Sequence, residues 1–441
     1  MPLQLRWYQN RTVNDVLRLF QEGARGVIIQ GPCGSGKTEI AMDLMSRLDG
    51  RWVLAVPNSV LASQSEYRLQ SVLDAERFGS VNPNPPRARI QVATIQTLLC
   101  RDTSRQLQPD FICFDEAHHY EAEYWSMFAE RYPNARRVGL TATPERADGK
   151  SLLRHFDQIV VAATYEELRS ERLLVPVRLY APTVPVPEGL AVDPITAWKG
   201  LAEGKRTIAA FGLVEEARYW SARFEAELGP LGYHAACVSG EDRRSYNEAI
   251  LRDFMEGRIH FLTNVYYVAE GYDDPDVGCV IYGRRFQFRG TYVQFGGRGL
   301  RAAPEKPDCI AIDLTGCSYA HGVPDSDSPW ILDEQDKPGR QGLEGDGEEP
   351  DGEETHLREP LSVSGEGLVR VCHGALPHDA PDPALTLCQE NDACPDHEVQ
   401  ERVEIDRRAR RMSGRSGVTA ARYWAERELR RCGRLMRRSS S

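Results

Sequence analysis

The chain lacks any long apolar run. No window of its 441 residues approaches the roughly 18 consecutive apolar residues of a membrane-spanning helix, which excludes a helical membrane protein. Met1-Pro2-Leu3-Gln4-Leu5-Arg6 has no apolar core of the kind a secretory signal carries. Closely paired cysteines are scarce. The eleven present are mostly single, several within apolar stretches (Cys113, Cys279, Cys309), which suits reduced core thiols and a cytoplasmic protein over a disulfide scaffold. A general excess of positive charge is also missing. The net charge of −11 excludes a protein that coats nucleic acid through a global basic field, and leaves any polyanion contact to a local groove. The charge is unevenly spread: residues 325–359 hold 13 Asp/Glu against 3 Lys/Arg, whereas residues 401–441 hold 13 Arg against 5 Asp/Glu and contain no Lys.

What the chain does have is Gly31-Pro32-Cys33-Gly34-Ser35-Gly36-Lys37-Thr38, placed between the apolar run Gly26–Gln30 and a helical pattern from Glu39. Strand, glycine-rich loop and helix in that order, with this spacing, make a phosphate-binding loop. Gly31, Gly34, Ser35 and Gly36 let successive backbone N–H groups turn toward an anion, and the helix start adds its positive dipole end. Lys37 is expected on the β/γ-phosphates, and the Thr38 hydroxyl on Mg²⁺. Upstream, Gln9 follows Trp7 and Tyr8. Its amide could read an adenine edge while an aromatic stacks, or the aromatics could simply start a helix on the core.

Residues 51–165 alternate short apolar runs with helical patterns, which predicts a parallel α/β sheet with ligands at the carboxyl ends of its strands. Strands are expected at Trp52–Val56, Ile90–Thr94, Phe111–Phe114 and Val138–Thr141. Their ends carry the polar words: Pro57-Asn58, Thr94-Ile95-Gln96-Thr97, Asp115-Glu116-Ala117-His118 and Thr141-Ala142-Thr143-Pro144. A carboxylate at Asp115 can hold Mg²⁺ opposite Thr38, and Glu116 is placed to deprotonate an attacking water. His118 is expected to couple nucleotide to polymer. Residues 166–205, with repeated X-Pro pairs, read as an inter-lobe linker. A second α/β pattern spans residues 206–334. It has no phosphate loop, but ends in Gln294-Phe295-Gly296-Gly297-Arg298-Gly299-Leu300-Arg301, where two arginines three apart on a helix would share a face and reach a nucleotide as arginine fingers. Beyond it, residues 335–366 read as an acidic disordered linker. The Arg-rich tail at 401–441 holds Tyr423 and Trp424. It could contact phosphates and stack on bases, or fold as a basic helix onto the acidic linker.

The set GPCGSGKT, PNSVLASQ, TIQTL, DEAH, TATPERADG, EGYDDP and QFGGRGLR, in this order, resembles the superfamily 2 helicases, in particular the DNA-directed DEAD/DEAH-box branch with phage and prophage members. The resemblance covers about residues 1–335 and implies two RecA-like lobes, at 1–165 and 206–334. It implies Gln9 as adenine reader, Lys37, Thr38, Asp115 and Glu116 as the phosphate, metal and water residues, and Thr141 and Thr143 as coupling residues. It further implies that Gly271 and Asp273 face nucleotide or polymer, that Gln294, Arg298 and Arg301 close on the γ-phosphate, and that Thr94 and Pro57–Gln64 grip a sugar–phosphate backbone. Phe295, Asn58 and Asn247 depart from the pattern, standing where relatives often carry Arg, Thr and Arg. Relatives of this branch often end in a zinc ribbon. Here residues 367–400 offer Cys372, Cys388, Cys394 and His397 as a zinc set, or else a decayed ribbon or unrelated thiols.

The expectation is therefore an ATP- and Mg²⁺-dependent helicase or translocase, a monomer without membrane association, acting on DNA in preference to RNA, with the C-terminal region open to a protein partner. The rival readings are a duplex translocase that never separates strands, an RNA helicase, and an ATP-gated binding module.

Overall fold

The computed structural model describes residues 4–77, 88–100, 108–119, 123–145, 152, 155–182, 186, 189–265, 267–268, 272, 274–327, 330 and 368–371. The acidic stretch 335–366, the zinc set Cys372, Cys388, Cys394 and His397, the Arg-rich tail, Arg146, Asp148, Gly149, Gly271 and Asp273 lie outside these residues. Among the described residues, no helix is long and apolar enough to cross a membrane.

Two seven-stranded sheets organise the chain. The first contains β1 (Gly26–Gln30), β2 (Trp52–Val56), β3 (Ala75–Arg77), β4 (Ile90–Thr94), β5 (Phe111–Asp115), β6 (Arg136–Thr141) and β7 (Gln158–Val161), in the order β3-β4-β2-β5-β6-β1-β7 and all parallel. Its helices are α1 (Trp7–Gln21), α2 (Lys37–Arg47), α3 (Ser59–Gln70), α4 (Ile95–Cys100) and α5 (Glu123–Arg131). Strand alternation divides the core. Val27 and Ile29 pack with Val13, Val16 and Leu44 on one face, while Ile28 packs with Ile112, Phe114, Trp125 and Phe128 on the other. Burial on both faces explains why these strands read as continuous apolar runs.

The second sheet contains β8 (Val177–Ala181), β9 (Arg206–Ala210), β10 (Ala235–Val238), β11 (Phe261–Asn264), β12 (Val277–Tyr282), β13 (Cys309–Asp313) and β14 (Val369–Val371), in the order β10-β11-β9-β12-β13-β8-β14. All pair in parallel except β14, which runs antiparallel along β8. The helices are α6 (Tyr165–Ser170), α7 (Pro194–Leu201), α8 (Val214–Leu228), α9 (Arg244–Met255), α10 (Arg289–Gly296) and α11 (Ser318–His321).

The linker expected at 166–205 is corrected by this topology. Within it, β8 is an integral strand of the second sheet and α7 packs its Trp198 into the core beside Phe224 and Phe261. Proline misleads here because Pro176 sits just before a strand and Pro194 at the first position of a helix, two places where a missing N–H is harmless. The strands β3, β7 and β14, absent from the sequence expectation, are three, four and three residues long.

Helix α6 joins the lobes. Trp7 and Arg11 of α1 bond to Glu171 and Glu167 beside it, and Tyr8 lies in the same apolar cluster as Tyr165, Leu168 and the second sheet. From the far end of lobe two, the Asp327 carboxylate accepts from the N–H groups of Tyr165 and Glu166, and the buried Asp325 pairs with Arg169. Removing one partner of a buried pair leaves a charge uncompensated, at a cost of about 3–5 kcal/mol. Asp325→Ala is therefore expected to lower the unfolding free energy from urea melts by an amount in that range, whereas Asp15→Ala, at an exposed pair on α1, should change it by less than about 1 kcal/mol.

Candidate nucleotide site between the lobes

Sheet order assembles the site. Strand β6 lies between β5 and β1, with Gln30 paired to Thr141 and Asp115 to Leu140, so the polar words that follow these three strands emerge side by side. The Gly31 N–H donates to the Thr141 carbonyl at 3.1 Å, fixing the start of the loop to the end of β6.

The loop runs into α2, which has no side-chain cap, so its first N–H groups remain available to an anion. Gly36 stands at φ 76°, and a Cβ there would lie 2.2 Å from Nε2 of Gln9. Lys37 folds across the loop and donates to the carbonyls of Gly31 (2.8 Å) and Pro32 (3.3 Å). Ser35 is fully buried, and its Oγ has no hydrogen-bond partner. Gln9 is likewise buried. Its Nε2 donates to the Ser35 carbonyl at 3.3 Å and its Oε1 accepts from the Arg6 N–H, while the Tyr8 hydroxyl donates to the same Ser35 carbonyl at 3.0 Å. The residue expected to read adenine thus touches the phosphate loop directly.

Opposite stands Asp115, whose carboxyl is pushed up to about 7, first by burial and then by the neighbouring Glu116 carboxylate, against the pull of Lys37. Glu116 has φ 52°, a left-handed conformation for a non-glycine residue, of the sort that persists where the surroundings over-determine it. Its Oε2 lies 3.4 Å from Nδ1 of His118 and is otherwise buried without a donor. Two adjoining carboxylates, one resisting ionisation and within reach of the Lys37 charge, fit a hard cation that keeps most of its water and takes few protein ligands, as Mg²⁺ does. Among the described residues, no group of three or more His, Cys, Asp or Glu gathers as a metal site.

The lobes meet through a relay of buried polar side chains. Nδ1 of His118 lies 3.1 Å from the Thr141 hydroxyl, and Nε2 of Gln294 donates to the Thr143 hydroxyl at 2.7 Å and lies 3.1 Å from Nε2 of His118. All four side chains are buried. The two arginines behave differently from expectation. α10 ends at Gly296, and a 3-10 turn spans Gly297–Gly299, where a Cβ on Gly299 would stand 2.3 Å from the Cys309 sulfur. Arg298 Nη1 donates to the Tyr272 carbonyl within lobe two. Arg301 sits beyond the turn in a bridge to Leu174, with its Cγ 4.0 Å from where a Cβ of Gly34 would be. They do not share a helix face, because the glycines end the helix before either is reached. Arg301 thus lies beside Gly34 of the phosphate loop, and Gly297, next to Arg298, lies against Cys33 of the same loop.

Pro57 and Thr94 lie at the ends of β2 and β4, one and two strands beyond β5 on the side away from the loop. Thr94 accepts from the Thr97 N–H, and Asn58 accepts from the Leu61 N–H at 3.0 Å, so the departure at Asn58 preserves a helix cap. Phe295 is buried among Tyr282 and Phe286, and Asn247 donates to the Ser239 carbonyl, both as packing residues of lobe two.

Two tests follow from this geometry. Gly36→Ala drives a methyl group into Gln9 at an unfavourable φ, and is expected to cost about 1–3 kcal/mol of local strain and to weaken ATP binding by about tenfold or more in a fluorescent-nucleotide titration. A carboxyl raised on folding binds its proton more tightly folded than unfolded. The metal-free protein should therefore lose stability as pH rises from about 4 to about 7, and Asp115→Asn should flatten that slope in urea melts.

Residues 2–146 match the family model described as Type III restriction enzyme, res subunit. A 51.5 kDa protein of a Lactococcus phage is 26% identical over 328 residues, covering 69% of this chain and 68% of that one. The DNA 3'-5' translocase XPB2 of Sulfurisphaera tokodaii is 32% identical over 148 residues, covering 34% of this chain and 33% of its own length. Among solved structures, a fragment assigned as the HsdR subunit of a type I restriction enzyme from Vibrio vulnificus has the same fold at TM-score 0.61 and 20% identity, covering 74% of this chain and 67% of that one. With its phosphate loop, DEAH carboxylates and inter-lobe glutamine and arginine in place, the chain is similar to the superfamily 2 helicases.

Proposed function

We propose that the protein is an ATP-dependent DNA helicase or translocase, in which closure of the cleft between the lobes hydrolyses ATP and reopening moves one lobe along a bound strand. The observation that carries the reading is the relay Glu116–His118–Thr141/Thr143–Gln294, which links the water-directing carboxylate to the second lobe through buried side chains. The loop N–H groups and Lys37 hold the phosphates and Gln9 the adenine end. Thr38 and Asp115 would hold Mg²⁺, which when bound neutralises charge on the phosphate oxygens. Glu116 takes a proton from the attacking water as its oxygen bonds to the γ-phosphorus and the bond to ADP breaks. Arg301 then meets the charge that develops on the transferring group.

Pro57, Asn58 and Thr94 at the ends of β2 and β4 offer the strand-gripping edge of lobe one. DNA is preferred over RNA because the archaeal relative is named a DNA translocase. A backbone-tracking edge of this kind predicts steep salt dependence and little base preference. We further propose that the protein acts as a cytoplasmic monomer whose C-terminal region recruits a partner, and that Cys372, Cys388, Cys394 and His397 bind zinc, which elemental analysis of the purified protein would test.

ATP turnover with no polymer, single-stranded DNA, duplex DNA and RNA is expected to rise strongly with one form of DNA. Glu116→Gln should lower it by about a hundredfold or more while ATP still binds. Stimulation by RNA alone would overturn the substrate, and ATP binding without turnover under any condition would leave a gated binding module.

A further inference from the structure

An arginine that stabilises developing charge must be held to within about half an ångström, and that demand falls on its backbone as well as its side chain. Arg301 lies in no helix or strand. One side of its backbone is fixed by the bridge to Leu174, flanked by bonds from Val175 N to the Leu300 carbonyl (2.8 Å) and from Ala302 N to the Leu173 carbonyl (3.2 Å). The other side is fixed by Lys306. Its Nζ donates to the Arg301 carbonyl at 2.7 Å and to the Pro275 carbonyl at 2.8 Å.

Two further features show that this lysine is built in. It follows Glu305, a non-glycine residue at φ 62°, so the chain adopts a costly left-handed turn in the approach to Lys306. Burial also pushes its ammonium down to about 8, against the pull of Asp274 and Asp276. The loop it grips is held at a second point, where Arg298 bonds to the Tyr272 carbonyl. The turn that carries the finger is thereby fastened to both ends of the segment Tyr272–Pro275.

We propose that Lys306 is a positioning residue for Arg301, clamping the Arg301 carbonyl to the Pro275 carbonyl so that the finger keeps its place beside the phosphate loop. The inference rests on the reading of this cleft as an ATP-hydrolysing site. It distinguishes a lysine that acts through Arg301 from one that merely supports lobe two.

The test is single-turnover and steady-state ATP hydrolysis by the full chain with its stimulating polymer, for wild type, Lys306→Met, Lys306→Arg, Arg301→Ala and the double variant Lys306→Met/Arg301→Ala. Lys306→Met is expected to lower the hydrolysis rate about tenfold with KM for ATP within about threefold of wild type, and Lys306→Arg to recover most of the loss. In the Arg301→Ala background the same substitution should change the rate less than about twofold, the non-additivity of residues that act as one unit. Wild-type turnover in Lys306→Met, or a further tenfold fall on top of Arg301→Ala, would overturn the proposal. Should Lys306→Met not fold, Lys306→Gln takes its place in the same cycle. Absence of hydrolysis by the wild type with every polymer would instead overturn the reading of the cleft, and is distinct from an active wild type with an indifferent Lys306.

Discussion

The parallel register of β5, β6 and β1 is the constraint on which the rest depends. A triphosphate site needs backbone donors, a cation and two carboxylates within a few ångströms of one another, and no single segment of chain can supply all of them. With Asp115 opposite Leu140 and Gln30 opposite Thr141, the three strands end nearly flush. A slip of one residue would exchange side chains between the two buried faces and part the carboxylates from the loop. The buried alternation of Val27, Ile28 and Ile29 between two helical layers is what forbids that slip.

Such a gathering of polar groups is costly in a folded protein, and the structure shows where the cost sits. Asp115 resists ionisation, Glu116 holds a strained backbone, and the Ser35 hydroxyl and Glu116 Oε2 are buried without hydrogen-bond partners. These groups make sense together as a cradle for phosphate and metal, since each would be satisfied by the charge that the site is built to hold. Burial likewise works against the charge of Arg301, so its guanidinium too gains by meeting an anion.

The link between lobes is of another kind. Gln294, His118, Thr141 and Thr143 meet through side-chain hydrogen bonds between an amide, an imidazole and two hydroxyls. Charge is used at the hinge side, where Asp325 and Asp327 fasten α6, which in turn bears on Trp7 and Arg11 of the helix that carries Gln9. The helix that carries Gln9 and the segment that follows α11 are thus joined by one short helix.

By itself the sequence determined the two α/β lobes, the phosphate loop, the acidic pair and the glutamine and arginine of the second lobe. Each of these is a local pattern: an apolar run, a glycine spacing, a polar word at a strand end. What it could not determine depended on contacts distant in the chain. The proline-rich stretch before Arg206 became a strand because β13 offered it a free edge, and β7 and β14 are too short to show a period. Phe295 could be read only as a missing arginine until its ring was placed in an aromatic core. The separate placing of Arg298 and Arg301 turned on close packing, Gly299 against Cys309 among it, and the clamp by Lys306 on two carbonyls 5 and 31 residues away in sequence. Tertiary structure decided these because backbone carbonyls and close packing leave no mark in the residues that later meet them.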